Sequence, residues 1–150
     1  MKEPVVVDST CLIALERLGR LDLLPALFAP IYAPPEVARE FGASLPWLEV
    51  VPLTDPERVV FLAVSVDPGE AEAIALAREL GLKIVLDDLR ARRLAHRFGL
   101  EMIGTVGILV RARREGVLEA LRPLLEQMEG FGFRMSPDLK EEALRLSGEI

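Results

Sequence analysis

Five carboxylates stand out by where they fall in the chain: Asp8, Glu40, Glu70, Asp87 and Asp88. Asp8 closes the apolar run Val5-Val6-Val7, and Asp87-Asp88 closes Ile84-Val85-Leu86. Both runs read as buried strands. In open parallel sheets ligands bind beyond the carboxyl ends of the strands, so these acids point to one edge although they are far apart in sequence. An ordinary cap on the following helix is an equally weighted reading of Asp8 alone. Glu70 lies in the first turn of the helix opened by Pro68, where an acid also suits the helix dipole. Glu40 lies near the end of its helix, where negative charge is unfavourable, so its position points to another task. Glu36, one turn earlier, suits the dipole, and Glu72 reads as solvated.

Carboxylates crowded together raise one another's pKa unless a cation sits among them. Oxygen-only ligands select hard cations, Mg²⁺ or Mn²⁺. Zinc needs thiol or imidazole ligands, and Cys11 and His96 are one of each. Such hard ions serve phosphodiester hydrolysis, activating water and stabilising both oxygens of the displacement. The expectation is a metal-binding, catalytic quartet of Asp8, Glu40, Glu70 and Asp88, with Asp87 as an adjunct ligand. Adjacent residues leaving a strand need not face the same way, and Asp88 is favoured as the inward one.

The elements that must position these acids alternate along the chain. Ser9 or Thr10 caps a first helix, and residues 21–28 read as a helical piece broken by Pro25. Pro30 to Ala33 is a short strand, and Pro34-Pro35 opens the helix that carries Glu40 and ends at Gly42. Glu49 to Leu53 is a third strand, followed by a helix from Asp55-Pro56 to about Val64. Asp67 caps the next helix, Pro68 fills its first turn and Gly81 ends it. A helix follows Asp87-Asp88 as far as Phe98-Gly99, then a strand at Glu101-Met102-Ile103 and C-terminal helices, the last capped by Ser136. Short strands, apolar on both faces and separated by helices, predict an α/β fold, a three-layer α/β/α sandwich with a central mainly parallel sheet. At 150 residues the chain reads as one domain, 1–150.

A net charge of −6 opposes generic nucleic-acid binding, although two bound dications would offset about four of those charges. No apolar run approaches the roughly 18 residues of a membrane span. A lone cysteine and no cleavage site of the signal-peptide kind give the expectation of a cytoplasmic protein without membrane partners. Arg90, Arg93 and Arg97 share a helical face, with Arg92 nearer the opposite side. A solvated helix face is the default reading. The functional one sets Arg90, Arg92 or Arg93 beside the phosphates of a phosphodiester substrate. His96 lies about two turns beyond Asp88, too far to act as a base there. Trp47 and Tyr32 are too isolated for a base-stacking platform.

The chain resembles the PIN-domain family, close to prokaryotic PIN-like proteins related to VapC toxins. The resemblance rests on Val5-Val6-Val7-Asp8-Ser9-Thr10, Pro35-Glu36-Val37-Ala38-Arg39-Glu40 and Gly69 to Ala77. It continues through Leu86-Asp87-Asp88 with Ala91-Arg92, and Gly104-Thr105-Val106-Gly107-Ile108-Leu109. It covers nearly the whole chain and implies a Mg²⁺-dependent ribonuclease. By position Asp8 matches the family's first-strand Asp, Glu40 its helical Glu, and Asp88 the acid after the fourth strand. Glu70 stands where many members carry Asp, one methylene shorter. Thr10 falls where a hydroxyl residue often supports the first Asp. The resemblance also implies a toxin–antitoxin pair with a small antitoxin protein as inhibitor, and a homodimer.

These readings converge on a Mg²⁺- or Mn²⁺-dependent endoribonuclease acting on RNA. The alternative is a catalytically silent PIN-fold protein-interaction module. A phosphoryl-transfer enzyme using Asp8 as nucleophile ranks lower, because no second Asp follows at i+2.

Overall fold

Val5, Val6 and Val7 have no solvent exposure at all, which a strand achieves only in the middle of a sheet covered on both faces. They belong to β1 (Glu3–Val7). The computed structural model describes residues 2–150. The remaining strands are β2 (Phe28–Ala33), β3 (Leu48–Val50), β4 (Lys83–Val85) and β5 (Met102–Ile103). All pairings are parallel, in the order β3-β2-β1-β4-β5. The helices are α1 (Ser9–Arg17), α2 (Leu23–Leu27), α3 (Pro35–Phe41), α4 (Glu57–Leu62) and α5 (Pro68–Leu80). After them come α6 (Leu89–Arg97), α7 (Thr105–Arg114), α8 (Arg122–Gly130) and α9 (Pro137–Leu146). Helices flank the sheet, giving the expected three-layer α/β/α architecture.

Each of the two central strands enters its helix through acids at the same edge. Asp8 follows β1 and Asp87-Asp88 follow β4, the strand beside it, with Val7 in register with Val85. The chain steps outward from β1 through β2 and β3, then returns to the other side of β1 for β4 and β5. The crevice beyond β1 and β4 is therefore the topological switch point, the place where open α/β sheets hold ligands.

Local details refine the sequence expectations. Asp8 itself, not Ser9 or Thr10, is the cap of α1, its Oδ1 accepting from the Cys11 N–H at 3.3 Å. Pro25 does not break the second helix, because in so short a piece it occupies a turn whose N–H groups have no helical partner. Phe28 leaves that helix and begins β2. No side chain caps α4. Glu79 of α5 instead accepts from the Thr54 and Asp55 N–H groups that precede it. Glu72, read as solvated, accepts from the Glu36 N–H at 3.1 Å and ties the start of α3 to α5. That tie fixes the helix that carries Glu40. Among the described residues no helix is long and apolar enough to cross a membrane.

Candidate active site

Asp8 is the most enclosed acid of the chain, only 1 % exposed at the end of the central strand. Its Oδ1 caps α1, and its Oδ2 is buried with no hydrogen-bond partner among the described residues. Burial pushes its carboxyl well above the usual range, and the charge of Asp87 pushes the same way. An ionised oxygen in that state is costly unless an opposite charge meets it.

Asp87 is the neighbour that bears most strongly on Asp8. It leaves β4 half-buried, with the Thr105 N–H donating to its Oδ1 at 2.8 Å and the Thr105 hydroxyl to its Oδ2 at 2.5 Å. Thr105 is fully buried at the start of α7, beside the thiol of Cys11. Burial raises the Asp87 pKa, and the Thr105 bonds oppose that rise. The Arg92 guanidinium stands close by. Its Nη1 donates to the Leu86 carbonyl at 2.7 Å and fixes the backbone just before Asp87. Gly104 fits here because a Cβ would stand 3.0 Å from Asp87 Oδ1 and 3.2 Å from Arg92 Nη1.

Asp88, favoured from sequence as the inward acid, is the more exposed of the pair and caps α6 through the Ala91 N–H at 2.9 Å. Its charge nevertheless reaches Glu70, with which it shares a groove. Glu70 is nearly buried and forms a reciprocal capping box with Asp67. The Glu70 N–H donates to Asp67 Oδ1 at 2.8 Å, and the Asp67 N–H donates to Glu70 Oε1 at 3.2 Å. Burial first, then the Asp67 charge, raises the Glu70 pKa to about 7.

Glu40 reaches the same place from α3. Its carboxylate packs over Gly69, where a Cβ would overlap Oε1. Desolvation followed by the Asp67 charge raises its pKa. Asp67 thus bears electrostatically on Asp8, Glu40 and Glu70 together. Sequence reasoning assigned Asp67 only a capping role and singled out no function for Thr105. The usable signal was position, since each opens a helix at the edge that carries the other acids.

The structure divides the remaining candidates between this cluster and the surface away from it. Thr10 is exposed and lines a cleft with Ile13, Arg17, Phe131 and Phe133. It does not bond Asp8, whose free oxygen has no partner. Arg90 and Arg93 are exposed and line the groove shared by Glu70 and Asp88, whereas Arg92 faces Asp87 and Leu86. His96 is exposed farther along α6.

A hard dication suits this donor set in charge and chemistry, and the unpartnered Asp8 Oδ2 is the atom that most needs one. Among the described residues no three acidic, histidine or cysteine side chains gather tightly enough to form a ready-made cage. Mg²⁺ does not require one, since it is commonly held by one or two carboxylates and retains several waters.

A comparison with curated proteins returned no match. The family model DUF3368, described as a PIN domain, matches residues 4–149. That span includes Asp8, Glu40, Asp67, Glu70, Asp87, Asp88 and Thr105, and with it the chain belongs to the PIN-domain family, whose members are generally nucleases.

Proposed function

We propose that the protein is a Mg²⁺- or Mn²⁺-dependent endoribonuclease. The observation that carries this reading is the buried Asp8 Oδ2, unpartnered in a crevice where burial and like charge raise the pKa of Asp8 and Glu70. Asp8 and Asp87 would hold the ion at the strand ends, with Glu70, Asp88 and Glu40 on the facing wall. When bound, the ion supplies water activation and charge stabilisation for in-line displacement at an RNA phosphodiester.

The residues of the chain do the positioning. Thr105 orients Asp87, the Cys11 N–H orients Asp8, and the Asp67 N–H holds one oxygen of Glu70. The toxin role in a toxin–antitoxin pair rests on the likeness to VapC-related proteins, as do a small antitoxin partner and a homodimer. For the dimer, the apolar cleft between α7 and α9, with Val106, Val110, Leu139 and Leu146, offers a surface.

The test is cleavage of a single-stranded RNA in Mn²⁺ against the same RNA in chelator, with Asp8→Asn as control. Internal cleavage that needs the metal and is lost in the variant is expected. Intact RNA across a range of Mg²⁺ and Mn²⁺, with no metal-induced rise in melting temperature, would overturn the reading. It would favour a silent interaction module, which is the second reading because Glu70 already has a structural duty in its capping box.

A further inference from the structure

Arg90 and Arg93 line the same groove as Asp67, Glu70 and Asp88, yet among the described residues neither forms an ion pair. Elsewhere on the surface, exposed arginines readily close onto nearby acids, as Arg58 does with Asp55 and Arg145 with Glu141 and Glu142. The groove therefore has two walls of opposite sign that do not neutralise each other.

The basic wall is built by the spacing of α6. Residues at i and i+3 on a helix are neighbours on one face, so both guanidiniums project into the groove together. Arg92 cannot join them, because it is committed to the Leu86 carbonyl on the other side of the helix. The groove is open to solvent and has a volume of about 560 Å³, enough for a nucleotide-sized group. Leu89, 62 % exposed, and Val64, 86 % exposed, add apolar surface to its lining.

We propose that Arg90 and Arg93 form a phosphate subsite for single-stranded RNA, gripping a backbone phosphate adjacent to the one at the acidic wall. The proposal rests on the nuclease reading for the role of that acidic wall. Two guanidiniums at this spacing present forked donors that match phosphate oxygens. Bare carboxylates repel phosphate, so the neighbouring phosphate would meet the acidic wall only with a dication held there, and the strand would then span the groove from the arginines to that wall. Leu89 and Val64 contact the ribose and base between them. Phosphate binding of this kind sets register and affinity without reading sequence.

The experiment measures two things for wild type, the Arg90→Ala/Arg93→Ala double variant and Arg145→Ala. The first is kcat and KM for a single-stranded RNA in Mn²⁺. The second is binding of a fluorescent RNA oligonucleotide, in an Asp8→Asn background, from low to moderate salt. The double variant is expected to raise KM at least tenfold with kcat within about threefold. Its plot of log affinity against log salt should flatten by about 0.7, the slope for the one single-strand phosphate that the protein no longer neutralises. Arg145→Ala should change neither. A double variant with wild-type KM and salt slope, in a wild-type protein that cleaves, overturns the subsite and leaves the nuclease reading intact. If the wild-type protein does not cleave but binds RNA with a slope that the double variant flattens, the subsite stands and the nuclease reading falls. Absence of RNA binding by the wild-type groove overturns both.

Discussion

Oε1 of Glu40 occupies the space that a Cβ on Gly69 would fill, so the last turn of α3 and the first turn of α5 meet through a carboxylate on a glycine. Gly69 needs no unusual backbone here, since it is helical, and alanine favours a helix by up to about 1 kcal/mol. The glycine serves the close approach of Glu40. Gly69→Ala is therefore expected to leave the metal-free melting temperature unchanged or raised while pushing the flexible Glu40 side chain aside. The rise in melting temperature on adding Mn²⁺ should shrink, and metal-dependent cleavage should fall by about tenfold, some 1.4 kcal/mol. An unchanged Mn²⁺ response would remove Glu40 from the site.

Asp8 carries a second duty that can be separated from its charge. Asn keeps an oxygen for the Cys11 N–H and brings an amide towards Asp87, whose charge bears on Asp8. Asp8→Asn is expected to make the metal-free protein more stable near pH 8, since it removes a buried carboxyl whose ionisation is opposed by burial and by the charge of Asp87. The same variant should lose its thermal response to Mn²⁺ and its cleavage activity. Urea unfolding with and without Mn²⁺ checks both halves. A variant that is destabilised in the absence of metal would mean the ionised carboxylate supports the fold on its own.

The edge on which the acids gather was legible because strand-to-acid junctions repeat: Val7-Asp8 and Leu86-Asp87 belong to parallel neighbours, and parallel strands end at the same side. The bounds of α5 were legible for a similar reason, since Asp67, Pro68 and Gly81 each have one physical job there. What the sequence could not tell was which way adjacent acids turn. Asp87 and Asp88 differ by a single backbone step, and different partners divide their roles: Thr105, far along the chain, takes Asp87, while the turn into α6 takes Asp88. The same limit hid the Glu72–Glu36 tie and the Glu79 cap on Thr54 and Asp55, both long-range bonds with no local pattern. Helical spacing set Arg92 on a different side from Arg90 and Arg93, but a spacing cannot name a partner. The Leu86 carbonyl that claims Arg92 lies outside the helix, where the chain leaves β4.

Thr105 holds Asp87 through two donors, and a variant can remove one of them alone. Thr105→Val keeps the buried volume and the backbone N–H but deletes the hydroxyl that donates to Asp87 Oδ2. Leaving that acceptor unmet should cost about 1–3 kcal/mol of stability at pH 7.5. With Asp87 less firmly oriented, half-saturation by Mn²⁺ should also move to higher concentration. Thr105→Ser restores the hydroxyl and should recover the Mn²⁺ response even if packing losses keep its melting temperature low. Equal Mn²⁺ half-saturation in the Val and Ser variants would reduce Thr105 to a packing residue.

Stability of the metal-free protein should fall as pH rises from about 5 to 8, opposite to the trend expected where carboxylates are paired with cations. Glu70 titrates near 7 in the folded protein and Asp8 well above its ordinary value, whereas both titrate in the usual carboxylate range once unfolded. Between those limits the folded state holds protons that the unfolded state has released, so raising the pH favours unfolding. The contribution is fully present below the unfolded pKa and is lost as pH passes through the folded value. The slope is at most about 1.4 kcal/mol per pH unit for each group. Glu3, Glu79 and Glu149, whose pKa values are lowered by their partners, lose their stabilisation only at more acidic pH and leave this window undisturbed. Urea unfolding in chelator at pH 5.5, 6.5 and 7.5 measures the slope. Glu70→Gln keeps an oxygen for the Asp67 N–H and should flatten it. Mn²⁺ should recover the stability lost at pH 7.5, because a cation among the carboxylates offsets the cost of ionising them. A metal-free protein equally stable at all three pH values would mean that these acids ionise without cost, and that the crevice has no electrostatic need of an ion.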